Sequence, residues 1–185
     1  MLFKKSIEFS QFIADAIFNS MNFYDSNFEK MIVMADEFNV LNNRDKGELK
    51  DFGYALIIAD LIISGSMHFN GRVTSEEMGR VVGFLYVKFL KEARLLNEKE
   101  IEKKTNNIGN LLTALEESEG NPVNGNNTEN DPKFLLCSTF SKLYSGDNLK
   151  DEKVRGKGFA AFKLAKAVVK SDLIKIMLKE FRVKI

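Results

Sequence analysis

Along this chain apolar residues recur with the 3.6-residue period of a helix face, and no stretch shows the two-residue alternation of a convincing strand. Phe9, Phe12, Ile13, Ala16 and Ile17 make the first stripe. Ser26 and Glu29 then stand at the spacing of a capping box, in which each side chain satisfies a free backbone N–H at a helix start. The first helix is therefore expected to end or kink between Asn22 and Asp25. A second is expected through Phe28, Met31, Ile32, Ala35 and Phe38, with Asn39, Asn42, Asn43 and Gly47 marking the loop after it.

The stretch at about 48–64 is apolar on all sides: Leu49, Phe52, Leu56, Ala59 and Ile63 on one face, Tyr54, Ile58, Leu61 and Ile62 on the other. Such a helix is enclosed by protein, which predicts the centre of the fold. Its most apolar run, Tyr54 to Ile63, covers half a membrane span and contains Asp60, so no membrane partner is expected. Thr74 and Glu77 form another capping box, opening a helix over 75–97 that buries Met78, Val81, Val82, Leu85, Phe89, Ala93 and Leu96. Its opposite side carries Arg80, Lys91 and Arg94 but also Phe84 and Val87. Gly79 and Gly83, four apart, add a smooth strip there for close approach.

A shorter helix follows with Ile101, Ile108, Leu111, Leu112 and Leu115 as its stripe. Residues 118–132 hold one apolar side chain besides proline and can offset little of their ordering entropy, so a mobile polar loop is expected. Asp131 and Pro132 then suit the N-cap and first turn of a helix with Phe134, Leu135, Phe140 and Leu143 inward. After a connector from Ser145 to Gly158, the last helix sets Phe162, Ala165, Val169, Leu173 and Met177 against Lys163, Lys166, Lys170 and Lys179. The expected fold is all-α: a single domain over 1–185, with six or seven helices bundled around the helix at about 48–64. Whether the last two helices pack on their own chain or exchange between chains is left open by the pattern.

Composition narrows the chemistry. One histidine (His68), one cysteine (Cys137) and no tryptophan close off most nucleophilic, acid–base and metal kits, so no catalytic residue, metal or cofactor is expected. Cys137, beside Phe134 and Phe140, reads as a small buried apolar residue. A lone cysteine forms no internal disulfide, and Glu8 and Asp15 interrupt what would have to be a secretory apolar region. The expected location is cytoplasmic.

Three constellations could carry chemistry. Asp60, Ser64 and His68 stand at i, i+4 and i+8. On a helix they would lie about 6 Å apart in sequence along the axis, unlike a nucleophilic triad, and Asp60 reads as a carboxylate held by a hydroxyl, a lysine or a helix start. Glutamates 76, 77, 92, 98, 100 and 102 invite comparison with all-α nucleotide pyrophosphohydrolases, which bind magnesium through Glu-Glu-x-x-Glu. Arg80 stands where the third carboxylate is needed. Residues 150–185 hold 11 Lys/Arg against 4 Asp/Glu, while the rest holds 16 against 22. Arg155, Lys157, Lys163, Lys166 and Lys170 could thus contact an anion or nucleic acid, Arg155 and Lys157 from a glycine-containing helix entry. The expected function is non-catalytic: protein–protein interaction or self-association as a homodimer, through a surface containing Gly79, Gly83, Phe84 and Val87. Nucleic-acid binding and a magnesium-dependent hydrolase are the alternatives, with small-ligand binding in the core behind them.

Overall fold

The stripe that begins at Phe9 does not break at Asn22. In the computed structural model Phe12, Ile13, Ala16, Ile17, Met21, Tyr24, Phe28 and Ile32 stay in phase and are all buried, so Phe9–Ala35 is one helix of 27 residues, α1. Ser26 therefore lies inside a helix, and Asn27 Nδ2 donates to the Phe23 carbonyl one turn back (2.8 Å). A continuous buried face outweighs a cap that contributes about 1 kcal/mol. The structure describes residues 4–35, 43–119, 132–145, 156–161, 163–164 and 173–185. Phe38, Asn39 and Asn42 lie outside them, as does nearly all of the loop expected at 118–132.

α2 (Asn43–Ile63) starts five residues before the expected boundary and takes in Asn43 and Gly47. It is the centre of the fold, packed by α1, by α3 (Ser75–Glu92), by α4 (Glu98–Glu119) and by α5 (Pro132–Ser145). Leu49, Ala55, Leu56, Ile57, Ile58, Ala59 and Leu61 are buried along it. The stretch Lys46–Phe69 is longer than the half-span expected, and by length and composition alone it would cross a membrane. Most of its apolar window is buried inside this fold. At Gly53 a Cβ would stand 1.9 Å from the Tyr24 hydroxyl oxygen, so the missing side chain lets α1 and α2 close together.

A short 3₁₀ turn (Ser66–Phe69) leads to α3. The Thr74/Glu77 capping box forms: Glu77 N donates to Thr74 Oγ1 (3.1 Å), and Thr74 N donates to Glu77 Oε2 (2.8 Å). α3 stops at Glu92, before the expected 97. Leu95 turns left-handed (φ +53°) and a second box starts α4, with Glu100 N donating to Asn97 Oδ1 (3.0 Å) and Asn97 N to Glu100 Oε2 (3.1 Å). Ile108, Leu111 and Leu115 of α4 are buried, as are Leu136, Thr139 and Phe140 of α5. Leu143, expected inward, is partly exposed. The side chains of Phe134, Leu135 and Cys137 lie outside the description.

Residues 156–161 and 163–164 are helical (α6), and Gly156 and Gly158 are buried in it. This corrects the expected open helix entry at Lys157. α7 (Leu173–Glu180) buries Ile174 and Met177 and packs on α1.

Strands, expected nowhere, appear at both ends of the described chain. β1 (Lys5–Glu8) pairs in parallel with β2 (Phe181–Lys184), Ile7 opposite Val183. Lys184 Nζ meets Glu8 Oε1 (3.3 Å), Lys4 Nζ donates to the Leu178 carbonyl (2.6 Å), and the Phe181 ring meets Phe12 edge-on at 6.4 Å. Four residues of alternation are too few to read, and each strand exists because the other meets it. The pairing closes α7 onto its own chain, and buried residues from all seven helices join one core. Among the described residues the fold is all-α with this one strand pair.

Candidate functional sites

α3 has two faces. Met78, Val82, Tyr86 and Leu90 recur every fourth residue and are buried. Opposite them lie Glu77, Arg80, Phe84, Val87, Lys88 and Lys91, all exposed, with Phe84 71% and Val87 38% accessible. Of the two glycines, Gly79 faces inward, where a Cβ would meet Ile62 at 3.7 Å, whereas Gly83 has open space beside it. The expected smooth strip is thus confined to Gly83. The exposed face is acidic near its start and basic toward its end.

The glutamates weighed for magnesium do not converge. Glu77 and Glu100 cap helices, Glu76 pairs with Arg80 (2.5 Å) and Glu92 with Lys88 (4.0 Å). Among the described residues no three His, Cys, Asp or Glu side chains stand close enough to share a metal ion. Of the basic residues expected to meet an anion, Lys157 lies half-buried on α6, and Lys163 sits over the Phe159 ring at 4.9 Å. Arg155, Lys166 and Lys170 lie outside the described residues.

Asp60, Ser64 and His68 do come together, along one wall of a cavity of about 530 Å³ between α1, the end of α2 and α7. Ile57, Leu61, Ile174 and Ile176 give it apolar walls, and Phe23 stands at its exposed rim. Ser64 Oγ donates straight to Asp60 Oδ1 (2.8 Å), with no imidazole between them, so the pair lacks the order of a nucleophilic triad. α2 ends at Ile63, and His68 rides on the 3₁₀ turn beyond.

A polar junction that the sequence reading missed knits α1, α2, α4 and the end of α3. Asp25 receives hydrogen bonds from the Tyr54 hydroxyl and from Arg94, and Lys50 Nζ stands 3.1 Å away. Burial would raise the Asp25 pKa, but the bonds from Tyr54, Lys50 and Arg94 prevail and hold the carboxyl below its usual range. Asp51 takes Lys104 directly and Lys103 at 3.9 Å. Arg94 lies over the Phe89 ring and Lys104 over the Tyr54 ring, each at 5.2 Å from the centroid. A second cavity, about 150 Å³, opens here between Met21, Tyr54, Tyr86, Leu90, Arg94 and Lys104, with Phe89 and Leu96 completing its wall. Burial pushes the Tyr54 and Tyr86 hydroxyls far above the ordinary tyrosine value, so both stay protonated. The Tyr86 hydroxyl is shielded from solvent and has no hydrogen-bond partner. The signal for this junction was present: Tyr86 continues the Met78–Val82 register, and Asp25 sits in phase with a stripe taken to have ended there.

Protein-family models, curated proteins and solved structures contain no match to this chain.

Proposed function

We propose that this protein acts by self-association, two copies packing the outer faces of α3 against each other in antiparallel fashion about Phe84. What carries the reading is the layout of that face. Phe84 lies at the middle of the helix and is 71% exposed, and Val87 lies one turn on. Glu77 precedes Phe84 by seven residues, while Lys91 follows it by seven and Lys88 by four. A two-fold axis beside Phe84 therefore sets Glu77 of one copy near Lys88 and Lys91 of the second. Arg80 and Lys88 fall on opposite edges of the contact and so avoid each other. Catalysis has no role in this proposal, and the partner is a second copy of the chain.

The test is mass in solution by light scattering. The wild-type chain is expected to be a dimer that loosens as salt rises. F84E/V87E should be a monomer with unchanged helical circular dichroism, and K88E/K91E should weaken the dimer. A wild-type monomer, or an undiminished dimer in F84E/V87E, would overturn the proposal.

A second reading rests on the 530 Å³ cavity: a small apolar molecule held there with a hydrogen-bonding head at the Asp60–Ser64 wall. The chain has no tryptophan, so F23W places a unique fluorophore at the rim. Its emission should shift on adding octylamine, and unchanged emission would discard this reading.

A further inference from the structure

The polar junction offers a binding site distinct from the α3 surface. Its cavity is about 150 Å³, the size of an engineered protein cavity that takes benzene. The room therefore suits a molecule of roughly six to nine non-hydrogen atoms. Its lining combines polar groups, Tyr54, Tyr86, Arg94 and Lys104, with apolar ones that include Met21 and Leu90.

Charge sets the sign of the ligand. Lys50, Arg94, Lys103 and Lys104 surround the junction against two carboxylates, Asp25 and Asp51, which leaves a surplus of +2. Arg94 meets Asp25 through Nη2, yet a guanidinium carries five N–H donors and an ammonium three. The cations thus keep donors beyond those their aspartates take. The decisive group is the Tyr86 hydroxyl, a buried donor without an acceptor, close enough to Arg94 and Asp51 to sense both charges. A buried hydroxyl without a partner is unfavourable, and a ligand acceptor would relieve it.

We infer that the cavity bounded by Tyr54, Tyr86, Arg94 and Lys104 binds a small organic carboxylate, its head against the Tyr86 hydroxyl and the cations and its short apolar body against Met21 and Leu90. Phosphate has the charge but no apolar body, and several of its oxygens would face the Met21–Leu90 wall unpaired.

The experiment uses the full chain with ¹³C-labelled methionine methyls, titrated with sodium butyrate and followed by NMR. The Met21 methyl should shift and saturate in the millimolar range or below, as a ligand of this size allows. Butyramide, the same shape without the charge, and inorganic phosphate should each bind at least tenfold more weakly. Y86F keeps the ring and removes the hydroxyl, and should lower butyrate affinity about tenfold. No Met21 shift with butyrate would overturn the inference. So would equal binding of butyramide or phosphate, or undiminished butyrate binding by a folded Y86F. Because the titration arms use the wild-type chain, they decide the matter even where Y86F does not fold.

Discussion

The two ends of α2 solve the burial of polar groups in different ways. Toward its start, Lys50, Asp51 and Tyr54 are held in a charged junction that reaches α1 through Asp25, the turn after α3 through Arg94 and α4 through Lys104. Toward its end, Asp60 accepts from Ser64, one turn on and just past the helix, beside an apolar cavity. The first arrangement ties helices distant in sequence to one another, so its loss is felt by the whole fold. The Asp60–Ser64 bond spans a single turn.

Several measurements can break or sharpen that contrast. The largest effect is expected from D25A, which leaves the Tyr54 hydroxyl, Lys50 and Arg94 without their shared acceptor. After allowance for partial exposure it should destabilise by about 2–3 kcal/mol in chemical denaturation. The same carboxyl sets an acid response. Its folded pKa lies below the unfolded one, so its contribution is fully present above the ordinary aspartate value near 3.9 and is lost as pH falls through the lower folded value. Stability measured from pH 6 downward should fall across that window in the wild type and fall less steeply in D25N.

Between the two ends stands Gly53. Glycine to alanine inside a helix ordinarily stabilises by up to about 1 kcal/mol. Here the new methyl meets the buried Tyr24 hydroxyl, so G53A should instead destabilise by about 1–2 kcal/mol, with G53A/Y24F recovering part of the loss. S64A, at the quieter end, should cost about 1 kcal/mol. R80A, removing an exposed pair within one helix, should stay within about 0.5 kcal/mol in thermal unfolding. A larger loss from S64A than from D25A would reverse the comparison.

Much of this was legible. Thr74 and Glu77 announced the start of α3 because a capping box is a local device, complete within four residues. The apolar girth of the 48–64 stretch announced the central helix. Phe84 and Val87 were readable as exposed because both fall opposite the Met78–Val82 register. Ser26 and Glu29 misled for the same reason that Thr74 and Glu77 informed: the motif is local, and at Ser26 the phase of Met21, Tyr24, Phe28 and Ile32 prevailed. The end of α3 was missed because the stripe runs on through Leu96, while a left-handed Leu95 and the Asn97 cap divide it.

By itself, then, the sequence determined that this is a helical protein with α2 at its centre and an apolar outlier on α3. Those properties follow from period, composition and caps within a few residues of one another. Tertiary structure alone decided that Lys5–Glu8 meets Phe181–Lys184, that Asp25 gathers Tyr54, Lys50 and Arg94, and that Tyr86 ends in a cavity without an acceptor. Each of those facts joins residues far apart in the chain. Neither partner's own sequence encodes the meeting, which comes from helices packing to bury a shared core.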